Sequence, residues 1–168
     1  MKKVGIISDT HGFLDQNLKK YFSTCDLIIH AGDIGDMKVT NQLSEWSKVR
    51  AVYGNIDGSA LRIEFPEYLI LDIENCKILL IHIAGKMGTY NQKVKTLLQE
   101  NSDINCLICG HSHILKVQYD SKNSLLYINP GASGRHGFHL IRTALILEIN
   151  GEKIENLQII ELGKRASI

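Results

Sequence analysis

The amino-acid sequence predicts an α/β fold, specifically a four-layer αββα sandwich in which helices flank two mixed β-sheets. Strand-like apolar runs alternate with helix-like segments in the N-terminal half, a succession that favours parallel strands. The C-terminal half is almost all strand-like, and its strands are too numerous for one sheet, so two stacked sheets would bury them best. With 168 residues, 44% of them hydrophobic, the chain 1–168 is expected to form a single domain around a substantial core.

The N-terminal elements are predicted from their apolar patterns. A continuous apolar run predicts the first strand, and two further runs, each followed by a glycine and a polar residue, predict the next two. Helix-like segments separate these strands. The predicted order is strand 4–7, helix 14–22, strand 27–29, helix about 37–46 and strand 49–53.

From residue 68 onward the pattern changes to strands separated by short turns. Strands are predicted at 68–73 and 77–83 across a turn at Glu74-Asn75, and a helix at about 90–99 precedes a strand at 106–109. Turn-forming residues at 121–123 and 150–152 divide the remainder. The remaining predicted strands are 115–119, 125–128, 144–149 and 154–160.

The charge balance favours a small ligand. The 19 basic and 18 acidic residues give a formal net charge of +1, which argues against bulk nucleic acid or an anionic membrane surface as the main partner. No apolar stretch approaches the ~20 residues that span a bilayer. We therefore expect a protein that binds no membrane, and the sequence leaves open whether it is a monomer or a homo-oligomer.

Four cysteines lie within or beside apolar runs: Cys25, Cys76, Cys106 and Cys109. The spacing of Cys106 and Cys109 matches a redox or zinc motif, but the chain has no second cysteine pair to complete a tetrahedral site. Buried strand thiols are the better interpretation. Because no signal-like segment precedes the first strand, we expect a reduced, cytoplasmic protein.

Polar residues that could bind metal ions follow the predicted strands in five short blocks. Each block alone has an ordinary explanation as a strand-end turn or a core histidine, but two imidazoles bracketing Ser112 have little structural purpose. A sheet that aligns its strand ends would gather the blocks at one edge. The blocks are Asp9-Thr10-His11, Gly32-Asp33, Gly54-Asn55, His82 and Gly110-His111-Ser112-His113.

Carboxylate, amide and imidazole donors together suit manganese, iron or zinc better than calcium, which prefers oxygen ligands. Two divalent ions, two carboxylates and one bridging hydroxide would leave the site at about +1, a charge that attracts a phosphate anion. Two such ions can also lower the pKa of a bridging water toward neutrality. The blocks therefore predict the hydrolysis of a phosphate ester, with Asp33 as the ligand that bridges the two ions.

The ordered blocks resemble those of the calcineurin-like metallophosphoesterase superfamily, and the small size is similar to its YfcE-like bacterial phosphodiesterase branch. The resemblance covers residues 4 to about 131 and implies a two-sheet sandwich flanked by helices. It also implies a site that holds two divalent ions. The implied ligands are Asp9, His11, Asp33 and His113 on the first ion and Asp33, Asn55, His82 and His111 on the second; Asp33, Asn55 and His82 are the implied catalytic residues.

This sequence departs from the family pattern at two positions. Ile56 stands where many members have a histidine that protonates the leaving group or orients the substrate, and His82 lacks the glycine that usually follows it. General acid catalysis contributes about 10²–10⁴-fold, so this loss should penalise poor leaving groups most. Arg135 or His136, in the turn-rich segment 129–139, could meet the substrate phosphate instead, although that segment could equally be a solvated surface loop.

Three other polar residues near the blocks are interpreted as structural. His30 precedes the Gly32-Asp33 block and is expected to be a strand-end histidine satisfied by its neighbours. Asp36 and Asp57 follow proposed ligands by two or three residues and are expected to fix loops or to cap helices.

The sequence thus predicts a phosphodiesterase in which a metal-bridging hydroxide attacks a small phosphodiester that Asn55, Arg135 and His136 help to bind. Manganese is the first expectation, with iron, zinc, nickel or magnesium as alternatives. Two other functions stay open. One is a catalytically weak or inactive protein-binding scaffold, as in the relative of this fold in the retromer coat, and the other is a phosphomonoesterase.

Overall fold

The computed structural model describes residues 1–165 and contains two five-stranded sheets, a two-stranded ribbon and four α-helices in that range. The strands are β1 (Lys2–Ile7), β2 (Leu27–His30), β3 (Val49–Ala51), β4 (Tyr68–Ile73), β5 (Cys76–Ile81), β6 (Gly85–Lys86), β7 (Thr89–Tyr90), β8 (Cys106–Ile108), β9 (Leu115–Asp120), β10 (Leu125–Pro130), β11 (Ile141–Asn150) and β12 (Lys153–Lys164). The helices are α1 (Lys19–Phe22), α2 (Met37–Trp46), α3 (Ser59–Glu64) and α4 (Gln92–Glu100).

Both large sheets are mixed, and each contains three adjacent parallel strands. The first has the order β12-β11-β1-β2-β3, in which β1, β2 and β3 are parallel and β11 pairs antiparallel to β1. The second has the order β4-β5-β8-β10-β9, in which β5, β8 and β10 are parallel. In each sheet, three parallel strands therefore have their carboxyl ends on the same side, which is where open α/β sheets bind ligands.

Three apolar clusters separate four layers. Side chains of both sheets, Ile6 and Leu80 among them, fill the space between the sheets. Phe22 and Leu43 cover the outer face of the first sheet, and Val94 covers the outer face of the second. Successive strand residues serve different layers, since Ile6 faces the other sheet and Ile7 the helices. The predicted αββα sandwich of two mixed sheets is confirmed.

The helix predicted at 14–22 is wrong as a continuous element. The structure has a 3-10 turn at Gln16–Leu18 and then α1, a single turn. The Asp15 side chain accepts a hydrogen bond from the Asn17 amide at 3.0 Å, so the helical conformation begins only after Asp15. The shorter element still buries Leu18 and Phe22 against the first sheet.

The start of one further helix differs because of local capping, and one short helix was not predicted. Asn91 caps α4, with its side-chain oxygen 2.9 Å from the Val94 amide, so the predicted helix starts at Gln92 and Tyr90 belongs to β7. The sequence prediction missed α3, whose six residues are too few for a clear apolar period. By contrast, α2 has the predicted bounds, and Asp36 caps it by accepting from the Lys38 amide at 2.8 Å.

All four cysteines are buried free thiols, as the sequence indicated. Cys106 lies in β8 between the sheets, and Cys109, just past that strand, lies on the opposite side against α4, so they do not form a shared thiol site. Within residues 1–165, no helix combines the length and the hydropathy that crossing a bilayer requires.

Candidate metal centre

The seven predicted metal ligands meet at the carboxyl ends of the parallel strands. They follow β1, β2, β3, β5 and β8, so both sheets contribute. Potential ligand atoms form two groups, each with its atoms within 4.8 Å of one another. The groups are Asp9, His11 and His113, and Asp33, His82 and His111. The seventh residue, Asn55, contacts the second group: its Oδ1 lies 2.9 Å from the His111 Nδ1 and 3.1 Å from the His82 Nε2.

The Asp33 carboxylate lies between the two groups. Its Oδ2 is 3.8 Å from the Nε2 of His11 in the first group, and its Oδ1 is 3.3 Å from the Nε2 of His82 in the second. Each oxygen faces a different set of donors. This is the arrangement that a carboxylate shared by two cations requires.

The donor spacing fits divalent cations. Two ligand atoms that are each about 2.1 Å from one ion at tetrahedral or octahedral angles lie about 3.0–3.4 Å apart. The His113 Nε2 is 3.2 Å from Asp9 Oδ1, and the His82 Nε2 is 3.3 Å from Asp33 Oδ1. The Nε2 of His11 is buried and has no hydrogen-bond partner among the described residues. A buried polar atom without a partner is costly, and a bound cation would satisfy it.

Five of the seven proposed ligands have left-handed backbone. The φ angles of Asp9, His11, Asp33, His111 and His113 lie between +49° and +68°, and only three other non-glycine residues in the described range have positive φ. This region is unfavourable for residues with a Cβ and clusters at functional sites. Amide hydrogen bonds between the β1 and β2 loops offset the cost: the amides of Asp9 and His11 each donate at 3.0 Å, to the carbonyls of Gly32 and Asp33.

The glycine before three of the proposed ligands leaves room for the site. A Cβ on Gly54 would overlap the Oδ1 and the amide nitrogen of Asp33. A Cβ on Gly110 would overlap the Ser8 hydroxyl and lie 2.8 Å from Asp9 Oδ2. A glycine precedes Asp33, Asn55 and His111 for a steric reason. The backbone before each of these proposed ligands lies so close to other side chains that a Cβ would not fit.

We expect Gly54→Ala to weaken the binding of a second divalent ion by at least about 10-fold, because its methyl group would displace the Asp33 carboxylate. Calorimetric titration of the metal-free protein with Zn²⁺ would measure the loss. Gly58→Ala is the matched control, because a Cβ at Gly58 meets no atom within 4 Å. Equal zinc affinity of the two variants would contradict the steric account of Gly54.

Asp57 fixes the loop that carries Asn55, as the sequence interpretation expected. Its buried carboxylate accepts hydrogen bonds from the amides of Gly54 and Gly35 at 2.7 Å and of Ile34 at 3.1 Å. These bonds join the loop after β3 to the loop after β2. Asp57 thereby determines where Asn55 and Asp33 lie relative to each other.

Sequence reasoning missed Arg62, which supports the same loop from α3. Its Nε donates to the Asp57 carbonyl at 2.6 Å, and its Nη2 lies 3.2 Å from the carbonyl oxygens of Gly54 and Asn55. The guanidinium also stacks on the Tyr53 ring at 4.4 Å. An arginine at the fourth position of an unpredicted helix gives no sequence signal of this role.

His30 is structural, as expected. It is fully buried, its Nδ1 accepts from the Gly32 amide at 3.2 Å, and its Nε2 lies 2.9 Å from the Thr10 hydroxyl. Because an amide can only donate to Nδ1, the proton resides on Nε2 and is donated to Thr10. Burial lowers the pKa of His30 to about 4, which keeps the ring neutral at physiological pH.

Hydrogen bonds orient the imidazole of His82. Its Nδ1 donates to the Ala31 carbonyl at 2.7 Å, so Nε2 faces Asp33 and Asn55, where it donates when the ring is protonated and can bind a cation when the ring is neutral. Burial lowers the pKa of His82, but the Asp33 hydrogen bond and the Asp9 charge outweigh it and raise the pKa overall. Burial lowers the pKa of His11, so its ring favours the neutral form that binds cations.

Two of the three predicted substrate-binding residues, Arg135 and His136, lie at the rim of the first ligand group. The Arg135 guanidinium stacks on the Phe13 ring at 3.9 Å, and the His136 ring is 6.5 Å from that of His11. Ile56, at the position of the absent histidine, has 47% of its surface exposed, and its amide donates to Asp33 Oδ1 at 3.0 Å. Position 56 therefore contributes its backbone to the site.

Two cavities border the second ligand group, and Ile83 lines both of them. The first has a volume of about 350 Å³ and the second about 420 Å³. Apolar atoms form most of both linings. The first is lined by Tyr53, Asn55, Arg62, His82, Ile83 and Lys93; the second by Ile83, Lys86, Met87, His111, Ser112 and Ile114.

Comparison with known proteins gives consistent matches. Residues 1–152 match the model of the calcineurin-like phosphoesterase superfamily domain. A probable metallophosphoesterase of Methanocaldococcus jannaschii is 34% identical over 134 residues, which cover 77% of this chain and 67% of that protein. A second probable metallophosphoesterase, from Methanothermobacter thermautotrophicus, is 28% identical over 95% of this chain and 92% of its own.

Among solved structures, a novel archaeal phosphodiesterase aligns with a TM-score of 0.73 at 24% identity, covering 95% of this chain and 99% of that one. Vps29 of Entamoeba histolytica, in complex with Zn²⁺, aligns with a TM-score of 0.72 at 19% identity, covering 95% and 98%. At these identities the two structures establish the shared fold.

Proposed function

This chain belongs to the calcineurin-like phosphoesterase superfamily, and from that membership we propose that it is a phosphodiesterase that uses two divalent metal ions. The single observation that carries the proposal is the convergence of the two donor groups on the Asp33 carboxylate. Asp9, His11, His113 and Asp33 would hold one ion, and Asp33, Asn55, His82 and His111 the other. When bound, the two ions supply a water nucleophile at neutral pH and neutralise the phosphoryl oxygens.

Backbone and side-chain groups of this chain hold the site in position before any substrate binds. The Ala31 carbonyl fixes the tautomer of His82, and the Ile56 amide fixes the Asp33 carboxylate. Asn55 directs its Oδ1 at His82 and His111, which leaves its Nδ2 to donate to a phosphoryl oxygen. Such fixed donors stabilise developing charge without reorganising during the reaction.

Support for a diester substrate comes from the two cavities that share Ile83 in their linings. A phosphodiester carries two substituents and a monoester only one. A substrate phosphate at Asn55 and His111 would place one substituent toward each cavity, since each residue lines a different one. The two cavities therefore favour a small diester over a phosphomonoester.

We propose that His136, rather than a residue at position 56, assists the leaving group. His136 lies at the rim beside His11, whereas the Arg135 guanidinium stacks on the Phe13 ring. His136→Ala is expected to lower kcat about 10²-fold on alkyl diesters and far less on aryl diesters, whose leaving groups need no proton. Equal losses on both substrates, measured by steady-state kinetics, would contradict this role.

For Arg135 we propose a role in binding the substrate phosphate. Arg135→Ala should therefore raise KM and leave kcat unchanged.

For the metal we propose manganese, with iron, zinc, nickel or magnesium as alternatives. Four imidazoles, one amide and two carboxylates form a mixed nitrogen and oxygen set that these ions accept and calcium does not favour. The four buried free thiols are consistent with a reducing compartment, so we place the protein in the cytoplasm.

Chelator-stripped protein, reloaded with Mn²⁺, tests the proposed function. We expect the reloaded protein to hydrolyse bis(p-nitrophenyl) phosphate with a kcat/KM at least about 10-fold above that on p-nitrophenyl phosphate. A higher value on the monoester would identify a phosphomonoesterase. Absence of hydrolysis by protein that binds two ions would instead identify a scaffold of the same fold. A panel of nucleotide and headgroup diesters would then narrow the substrate.

A further inference from the structure

His113 and His139 each bury a ring nitrogen that has no hydrogen-bond partner among residues 1–165. In both residues the atom is Nδ1. The two rings are neighbours, with centroids 5.3 Å apart and planes inclined by 73°. Two buried atoms without partners in adjacent rings would satisfy each other if one donates and the other accepts.

The hydrogen bonding of His139 makes its Nδ1 an acceptor. Its Nε2 lies 3.0 Å from the Gly134 carbonyl, which can only accept, so the proton of the neutral ring resides on Nε2. Burial of His139 lowers its pKa, which agrees with a neutral ring. The remaining nitrogen, Nδ1, then carries a lone pair.

The position of His113 requires its Nδ1 to be a donor. Its Nε2 lies 3.2 Å from Asp9 Oδ1 within the first donor group, so this is the nitrogen that faces the cation site. An imidazole that binds a cation through Nε2 carries its proton on Nδ1 and needs an acceptor there. His82 has such an acceptor in the Ala31 carbonyl, whereas no backbone carbonyl plays that part for His113 among residues 1–165.

The Nδ1 atoms of His113 and His139 both lie beside Gly137. A Cβ at Gly137 would overlap the Nδ1 of His113 and lie 3.1 Å from the Nδ1 of His139, so both nitrogens border one point. They are therefore within about 5 Å of each other, and a hydrogen bond between them would form at a separation of ~2.9 Å. The φ of Gly137, +129°, is one that only glycine adopts without strain.

We propose that His139 is a positioning residue for the first metal ion: its Nδ1 accepts a hydrogen bond from the Nδ1–H of His113 and directs the His113 Nε2 toward Asp9. The chain of contacts runs from the Gly134 carbonyl through His139 and His113 to the donor group. This inference rests on the proposed function in so far as it requires a cation at Asp9, His11 and His113. His139 itself touches neither ion nor substrate.

Two variants of His139 separate positioning from packing. In His139→Asn the side-chain oxygen takes the place of Nδ1 and keeps the acceptor, whereas His139→Gln keeps a donor for the Gly134 carbonyl and loses the acceptor. In calorimetric titration with Zn²⁺, we expect His139→Gln to weaken one of the two sites about 10- to 100-fold, and His139→Asn to weaken it less. Leu140→Ala, at an exposed position in the same segment, is the control and should bind both ions normally.

A purely structural role predicts the reverse order, with His139→Asn the weaker binder, and that order or an unchanged affinity of His139→Gln would overturn the proposal. If neither variant folds, ¹⁵N spectra of zinc-loaded wild-type protein decide. We expect the His113 proton on Nδ1 with a coupling across to the His139 nitrogen, and an unprotonated His113 Nδ1 would overturn the proposal. Failure to hydrolyse diesters would defeat the proposed function alone, because zinc binding does not depend on turnover.

Discussion

Replacing Asp33 by asparagine should lower kcat/KM on an activated aryl phosphodiester by at least about 10³-fold, equivalent to about 4 kcal/mol of transition-state stabilisation. Within the described part of the chain, Asp33 is the one residue whose two oxygens face different donor groups, His11 on one side and His82 on the other. An amide presents one neutral oxygen and one NH₂ group, so it cannot serve both cations. The loss should appear in steady-state kinetics with saturating Mn²⁺.

Asp72→Asn is the matched control for Asp33→Asn. It also removes one negative charge, but from an exposed position in β4, in a strand that carries none of the proposed ligands. We expect it to keep wild-type kcat/KM, which would separate the loss of a ligand from the change in net charge. Substantial activity in Asp33→Asn, within about 10-fold of wild type, would mean that the Asp33 carboxylate does not join two ions.

Replacing Asp57 by asparagine should lower the free energy of unfolding of the metal-free protein by about 2–4 kcal/mol. The buried carboxylate accepts three amide hydrogen bonds, two of them on Oδ2 and one on Oδ1. Asparagine would direct an NH₂ group at one or two of these amides, so donor would face donor. Urea unfolding followed by circular dichroism measures the change.

The control for this stability change is Asp36→Asn. Asp36 accepts a single amide hydrogen bond as the cap of α2, and asparagine caps helices about as well as aspartate does. Its free energy of unfolding should therefore stay within about 0.5 kcal/mol of wild type. A similarly small effect for Asp57→Asn would show that the loop after β3 does not depend on its hydrogen bonds to Asp57.

The sequence sufficed to predict that the proposed ligands lie close together because their position depended on one geometric rule. Asp9, Asp33, Asn55, His82 and His111 each follow a buried strand, and parallel strands bring their carboxyl ends to one edge. Side-chain type then indicated the chemistry, and the family predicted from these blocks is confirmed. The four layers followed from the number of apolar strands and the positions of the longer helices.

The supports of the site could not be predicted because they depend on contacts between distant residues. Arg62 acts through the carbonyls of a loop, and His139 is recognised only by its position against His113. The left-handed backbone of the ligands likewise arises from hydrogen bonds between the loops after β1 and β2. The split of the predicted helix at 14–22 depends on a cap at Asp15, which competes locally with helix formation.

Anomalous diffraction from crystals soaked in Mn²⁺ tests the two-ion site most directly. We expect two manganese peaks on either side of the Asp33 carboxylate, about 3.5–4 Å apart, one among Asp9, His11 and His113 and the other among Asn55, His82 and His111. A single peak that Asp33 does not touch, or two peaks that leave either donor group without an ion, would contradict the dinuclear site and the phosphodiesterase activity proposed from it.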